Sequence, residues 1–215
     1  MSSPHVPTAL TIAGSDSGGG AGIQADLRTF AAFGVHGTSA ITALTAQNTR
    51  GVDAIHTAPT AFLRAQIEAV LGDFRVGAAK LGMLATLVTP NIPEAEALLG
   101  HRIASRDAMP GAARALRDAG ARAVLLKGGH LRGSEVSDLL LTADGEHWFH
   151  QRRRRGEFHG TGCSLSAAVA AGLALGRPLE DAVEAAIHFV QQAIVAGYRP
   201  GKGALLVLDH LAAAP

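Results

Sequence analysis

The stretch Phe158-His159-Gly160-Thr161-Gly162-Cys163-Ser164-Leu165-Ser166 gathers residue types that can do chemistry: two glycines, a threonine and the chain's one cysteine, leading into an alanine-rich apolar run. Read as the opening of a helix, it is an anion site. The first N–H groups of a helix lack internal partners and the helix dipole adds partial positive charge, so glycines that admit close approach can receive phosphate oxygens. Cys163 falls on the first turn, where the same dipole favours a thiolate. The chemistry indicated is phosphoryl transfer. Two plainer readings fit the same letters: Gly-x-Gly is ordinary loop punctuation, and a lone cysteine is commonly a small buried hydrophobe.

A second glycine-rich stretch lies near the start: Ile12-Ala13-Gly14-Ser15-Asp16-Ser17-Gly18-Gly19-Gly20-Ala21-Gly22-Ile23-Gln24-Ala25-Asp26. It reads as strand, glycine turn and helix start, and it is neither G-x-x-x-x-G-K-[ST] nor G-x-G-x-x-G.

The elements that must position these turns alternate along the chain. Residues 8–14 read as a strand and 22–33 as a helix, with Ile23, Leu27 and Phe30 at helical spacing; 40–46 is again strand-like. A helix over 61–71 sets Leu63, Ile67, Val70 and Leu71 on one side. Strand candidates follow at 78–84 and 87–89, then helices at 93–99 and 107–119 and a strand at 123–127. Residues 136–142 and 147–151 read as a hairpin around an Asp-Gly turn. A helix runs from Gly160 to about 175, and a last one ends near 196. Strand and helix in repetition predict an α/β fold in three layers, a mostly parallel sheet with helices on both faces. Ligands in such sheets sit beyond the carboxyl ends of the strands.

One place breaks the pattern. Only Ala85-Thr86 separates 78–84 from 87–89, whereas a parallel crossover needs about a dozen residues. Neither residue supplies the positive φ of a two-residue turn, so a hairpin is equally unsupported.

With 215 residues, 47% hydrophobic and 17% charged, the chain fits one domain spanning 1–215. A net charge of +1 gives no case for nucleic acid. The run Arg152-Arg153-Arg154-Arg155 is the local exception and reads as a solvated loop or a minor attractor of phosphates. A single cysteine rules out an internal disulfide framework, and neither a leader nor a membrane span is legible, so the cytoplasm is the expected location. No histidine pair has HxH or HxxxH spacing and there is no CxxC, which argues against a histidine–cysteine metal centre.

Taken in order, the two glycine-rich stretches join Ile41-Thr42-Ala43-Leu44-Thr45-Ala46-Gln47-Asn48-Thr49-Arg50-Gly51, Lys80-Leu81-Gly82-Met83-Leu84, Thr89-Pro90-Asn91-Ile92-Pro93-Glu94-Ala95-Glu96 and Lys127-Gly128-Gly129-His130. This set closely resembles the hydroxymethylpyrimidine/phosphomethylpyrimidine kinases of thiamine biosynthesis, in the ribokinase-like superfamily, from about Leu10 to about Ala196. The resemblance implies a ribokinase-like fold and an ATP- and Mg2+-dependent kinase. Its substrates would be 4-amino-5-hydroxymethyl-2-methylpyrimidine and then the monophosphate, which becomes the diphosphate. A homodimer is also implied.

By the same resemblance Gly14, Asp26, Gln47 and Met83 surround the pyrimidine. A carboxylate and a carboxamide suit an aminopyrimidine's donor and acceptors, and methionine covers a ring face; capping or strand-end hydrogen bonding is the plainer role for Asp26 and Gln47. Asn91 and Glu94 match the Asn-x-x-Glu motif that holds magnesium and nucleotide phosphates, commonly through water, while Asn91 also fits an N-cap with Glu94 near the capping-box position. Lys127 would meet ATP phosphates or stand as a solvated strand-end lysine. Gly160, Thr161 and Gly162 match the anion hole and Cys163 the catalytic position, where most of the superfamily carries aspartate.

Relatives of this kind have roughly fifty more residues after the position of Leu84, the place where the crossover fails. Two rival readings follow: a pyridoxal kinase, and a shortened pyrimidine-binding relative without catalysis.

Overall fold

The computed structural model describes residues 6–81, 87–154 and 156–215. The chain divides into two compact units, Met1–Gly82 with Gly156–Pro215, and Met83–Arg155.

The first unit is built around β1 (Thr8–Asp16), whose first four residues are buried. α1 (Gly22–Ala32) follows the glycine turn and turns Ile23, Ala25, Asp26, Thr29 and Phe30 inward. β2 (His36–Asn48) runs parallel to β1, and β4 (Val76–Leu81) lies parallel on its other side. β3 (Gly51–Thr57) returns antiparallel to β2, giving the order β3-β2-β1-β4. The strand expected at 40–46 is thus longer, and β3 was not expected. Every residue of β3 is exposed, so no alternation of buried and exposed positions marks it.

α2 (Thr60–Asp73) forms where a helix was expected but corrects one expectation: Leu63, Ile67, Val70 and Leu71 do not make a buried stripe, since no residue of α2 is buried. Periodicity reports a face able to be covered, and the cover itself comes from elsewhere.

α5 (Thr161–Ala174) buries eight residues, among them Leu165, Val169 and Gly172. α6 (Leu179–Val195) packs on it, with a Cβ built on Gly172 only 2.8 Å from Ala182 Cβ; a glycine there allows the close crossing. Two short parallel strands, β9 (Phe158–His159) and β10 (Leu206–Val207), clasp the segment before α5. At two residues each they are too short for any periodicity to announce.

The second unit has the strand order β5-β6-β7-β8: β5 (Leu87–Val88), β6 (Ala123–Leu126), β7 (Glu135–Leu141) and β8 (Glu146–Arg152). β5 and β6 are parallel, and β7 and β8 form the expected hairpin. α3 (Ile92–Leu99) and α4 (Met109–Asp118) cover a core of Ile92, Ile103, Met109, Leu116, Leu126 and Leu139. The helix expected from 107 begins instead as a 3-10 turn, Arg106–Ala108, because Pro110 sets the first turn of α4 at Met109. Among the described residues no helix is long and apolar enough to cross a membrane.

Candidate active site

Gly160 is the N-cap of α5, with φ 86°, and offers no side-chain cap. Thr161, Gly162 and Cys163 are the first three helical residues, so their N–H groups have no helical carbonyl one turn earlier. That is the geometry the sequence predicted. Positive φ alone favours glycine at 160, and a Cβ there would also run into the carbonyl of Gly20. The two glycine-rich turns therefore meet backbone to backbone in the first unit.

Side chains lock this junction. Asp16, at the end of β1 and 4% exposed, accepts from Gly18 N at 2.8 Å on Oδ1, and from Gly20 N at 3.0 Å and Ala21 N at 2.9 Å on Oδ2. A carboxylate holding three N–H groups of the turn organises it from within. His159 Nε2 lies 3.2 Å from Asp16 Oδ2 and 2.9 Å from Gln47 Nε2. Sequence reasoning missed Asp16 and His159 as members of the site, although both stood in the quoted stretches. Their separation of 143 positions left no local signal. Cys163 is a free, half-buried thiol.

Of the expected pyrimidine-side residues, Gly14 lies on β1, where an added Cβ would meet only Ala43 O at 3.7 Å and Thr42 Oγ1 at 4.0 Å. A methyl-sized group would fit beside it. Gln47 is half-buried near the end of β2 and reaches Thr45 Oγ1 at 3.2 Å. Asp26 is fully buried on α1: Oδ2 accepts from Lys80 Nζ at 2.8 Å and from Thr11 Oγ1 at 2.5 Å, while Oδ1 has no partner. Burial raises its pKa, and the neighbouring Lys80 charge and the Lys80 and Thr11 hydrogen bonds pull it back. Sequence reasoning quoted Lys80 without giving it a role. Met83 lies outside the described residues, as does the junction at Leu84 and Ala85.

Asn91, Glu94 and Lys127 belong to the second unit. Asn91 caps α3: its Oδ1 accepts from Glu94 N at 2.9 Å and Glu94 Oε2 accepts from Asn91 N at 2.8 Å, the reciprocal capping box. Lys127 follows β6, and its N–H donates to Pro90 O at 2.9 Å, which sets it beside Asn91. The loop after Lys127 is braced twice. Asp138 Oδ1 accepts from Gly128 N at 2.8 Å, and Arg153 donates to Gly129 O, Leu131 O and Gly133 O. One arginine of the basic run is thus a loop brace. Asp138 is buried, and burial pushes its carboxyl up to about 6 against the opposing pull of Gly128 N–H, Lys127 and Gln151.

Oxygen donors fit a hard, hydrated cation: Glu94 is exposed and keeps Oε1 outside the capping box, so one carboxylate oxygen can serve a water-retaining Mg2+. Among the described residues no group of three or more His, Cys, Asp or Glu side chains forms a dedicated metal cage.

A family model described as phosphomethylpyrimidine kinase matches residues 16–87 and 84–208, and so takes in both glycine-rich turns, the capping box and the Lys127 loop. The chain belongs to the phosphomethylpyrimidine kinase family. Hydroxymethylpyrimidine/phosphomethylpyrimidine kinases of Haemophilus influenzae and Rhizobium meliloti are 41% and 43% identical to it. The alignments cover 93% and 89% of this chain and 95% and 91% of theirs. Among solved structures, a Staphylococcus aureus pyridoxal kinase in complex with AMP-PCP and pyridoxal superposes with a TM-score of 0.89 at 29% identity, over 96% of this chain and 94% of that one. A Clostridium difficile phosphomethylpyrimidine kinase superposes at 0.77 with 34% identity, over 87% and 99%. These neighbours share the ribokinase-like α/β fold. The family model's two matches meet at 84–87, and the Haemophilus alignment extends over 255 residues against the 215 of this chain.

Proposed function

We propose that this chain is an ATP-dependent kinase that phosphorylates 4-amino-5-hydroxymethyl-2-methylpyrimidine and then its monophosphate. The observation that carries this reading is the α5 opening, where Thr161, Gly162 and Cys163 offer unpaired N–H groups at an N-cap pinned by Gly20. In the reading, Gly14, Gln47, Met83 and the free Oδ1 of Asp26 receive the pyrimidine, and Cys163 takes the hydroxymethyl proton as the oxygen attacks the terminal phosphorus of ATP. The P–O bond to ADP breaks while the α5 N–H groups hold the charge on the transferring group. Lys127, Asn91 and Glu94 bind the nucleotide phosphates. Glu94 and Asn91 would hold Mg2+ through water, and the ion would supply neutralisation of phosphate charge.

Steady-state ADP release with the pyrimidine alcohol tests the reading in wild type and Cys163→Ala. A general base contributes about 10²–10⁴ in rate, so kcat should fall at least about a hundredfold with little change in pyrimidine KM. Unchanged turnover removes Cys163 from the mechanism. The high structural likeness to a pyridoxal kinase supports a second reading, phosphorylation of pyridoxal. A competition assay with both alcohols separates the two, and preference for pyridoxal overturns the first.

We read both units as one kinase domain from which an internal segment is missing near 84–87. Support comes from the split family match and the longer alignment. The edge positions of β4 and β5 in their sheets and α2, which has no fully buried residue, point the same way. The intact mass of the protein expressed from its native gene decides it; a mass equal to that of the 215 residues refutes the missing segment. The reading includes a cytoplasmic homodimer, supported by the exposed Leu44, Val52 and Ile55 on β2 and β3. A monomer in sedimentation equilibrium refutes the dimer.

A further inference from the structure

The hydrogen-bond network around Gln47 is over-determined, and its logic reaches further than contact with a substrate. Thr45 has one hydroxyl proton, and it points at Ser15 O, 3.0 Å away. Towards Gln47, 3.2 Å away, Thr45 can then only accept. The amide group facing Thr45 must therefore be the NH2, and the carbonyl must face His159. An amide's oxygen and nitrogen are alike in shape and are assigned from such partners.

The other end of the chain of contacts gives the same answer independently. His159 Nε2 lies 3.2 Å from the buried carboxylate oxygen of Asp16, whose Oδ2 is fixed by Gly20 N–H and Ala21 N–H. A bare ring nitrogen there would set lone pair against carboxylate, so Nε2 carries the proton. That N–H then faces the Gln47 group at 2.9 Å, which must be an acceptor. Both arguments place the Gln47 carbonyl toward His159 and its NH2 toward Thr45.

We propose that His159 is a positioning residue that fixes the Gln47 carboxamide in this orientation and thereby sets which ring the site prefers. The fixed amide presents one remaining N–H and one remaining carbonyl lone pair in a set order. A 4-aminopyrimidine carries an N–H donor next to a ring-nitrogen acceptor and can match that order; a 3-hydroxypyridine has no such adjacent pair. His159 can hold this place because its ring lies on Gly20, where an added Cβ would come within 2.8 Å of His159 Cδ2. The assignment of ring preference rests on the pyrimidine reading above, whereas the orientation of the network does not.

The test has two arms. Long-range 1H–15N spectra of the protein labelled with 15N-histidine should show His159 as the Nε2–H tautomer, with His159→Phe identifying the signal; an Nδ1–H tautomer overturns the proposal. In kinetics, His159→Phe keeps the ring on Gly20 but removes the N–H. Pyrimidine KM should rise about tenfold with kcat and ATP KM within about threefold, and the pyrimidine-over-pyridoxal ratio should fall by a similar factor. His159→Gln, which can place an amide N–H near the Nε2 position, should recover most of the loss. Equal KM in wild type and His159→Phe, or a loss confined to kcat, overturns it. If wild type turns over neither alcohol, the proposed function falls, and the tautomer alone upholds or overturns the orientation.

Discussion

Asp138→Asn isolates the electrostatics of the second unit's interior. Asp138 is 4% exposed on β7, its two oxygens taken by Gly128 N–H and by Gln151 Nε2, each at 2.8 Å. Its carboxyl titrates at about 6 in the fold against 3.8 in the open chain. A raised carboxyl pKa means that the folded state holds the proton more tightly, so the associated stability is full below about 3.8 and is lost as pH rises through about 6. At 1.36 kcal/mol per unit, this one group gives the wild type about 1.4 kcal/mol at pH 5 that is gone at pH 8. Asparagine keeps the shape and the bond from Gly128 but has nothing to titrate. The stability difference between wild type and variant should therefore move by about 1.4 kcal/mol in favour of wild type between pH 8 and pH 5. That is about 0.7 M in the urea midpoint for a slope near 2 kcal/mol/M. Trp148, the chain's one tryptophan, packs against the core of this unit and reports its unfolding by fluorescence. A difference that stays flat from pH 5 to pH 8 would falsify the argument, because it would mean water reaches the carboxyl in the folded protein.

Lys80→Met leaves the Asp26 carboxylate buried without its cation and should cost about 3–5 kcal/mol at pH 7 by urea titration. Burial raises the Asp26 pKa, so the cost should shrink as pH falls and Asp26 takes up a proton, and Lys80→Met with Asp26→Asn should recover part of it; a cost independent of pH refutes the pairing. Gly160→Ala forces a side chain into left-handed backbone, at about 1–2 kcal/mol, and against the Gly20 carbonyl, so it should lower both melting temperature and turnover. A variant with wild-type melting and turnover would show that the two turns do not meet as described. His210 is buried against Ser164 Oγ at 2.8 Å, and burial holds its pKa at about 4 against 6.5. Its folded form resists the proton, so the stability it contributes, present above about 6.5, is lost as pH falls toward 4, by about 2 kcal/mol between pH 8 and pH 5. His210→Gln should flatten that slope in the first unit, read by Tyr198; an unchanged slope assigns it to other groups.

What the sequence made legible was local. The capping box of Asn91 and Glu94 spans four residues, and the opening of α5 announces itself by glycines next to an apolar run, so spacing alone found both. The polar pairs that tie the first unit together are distant: Asp26 with Lys80 lie 54 positions apart, Asp16 with His159 143, and Ser164 with His210 46. Each polar partner alone reads as a cap, a turn residue or a strand end, and only the fold shows that they meet. β9 and β10 were hidden by shortness, and β3 by lying wholly in solvent. α2 failed in the opposite sense: its pattern is apolar enough to be covered, yet its unit leaves Leu63, Ile67 and Val70 only half-buried and Leu71 exposed.

In the proposed reaction, the arrangement of the first unit gives the glycines a part beside that of Cys163. Charge on a transferring phosphoryl group is best met by N–H groups that need no rearrangement, which requires them to be held in place before the substrate arrives. At α5 that holding is done from outside the helix. The Gly20 backbone bears on Gly160, Asp16 fixes Gly20 by its N–H, and His159, the residue preceding the N-cap, meets Asp16. β10 pins His159 from the chain's far end through its pairing with β9. Because the same histidine also meets Gln47, it joins the end of β2 to the glycine turn through two hydrogen bonds within the first unit.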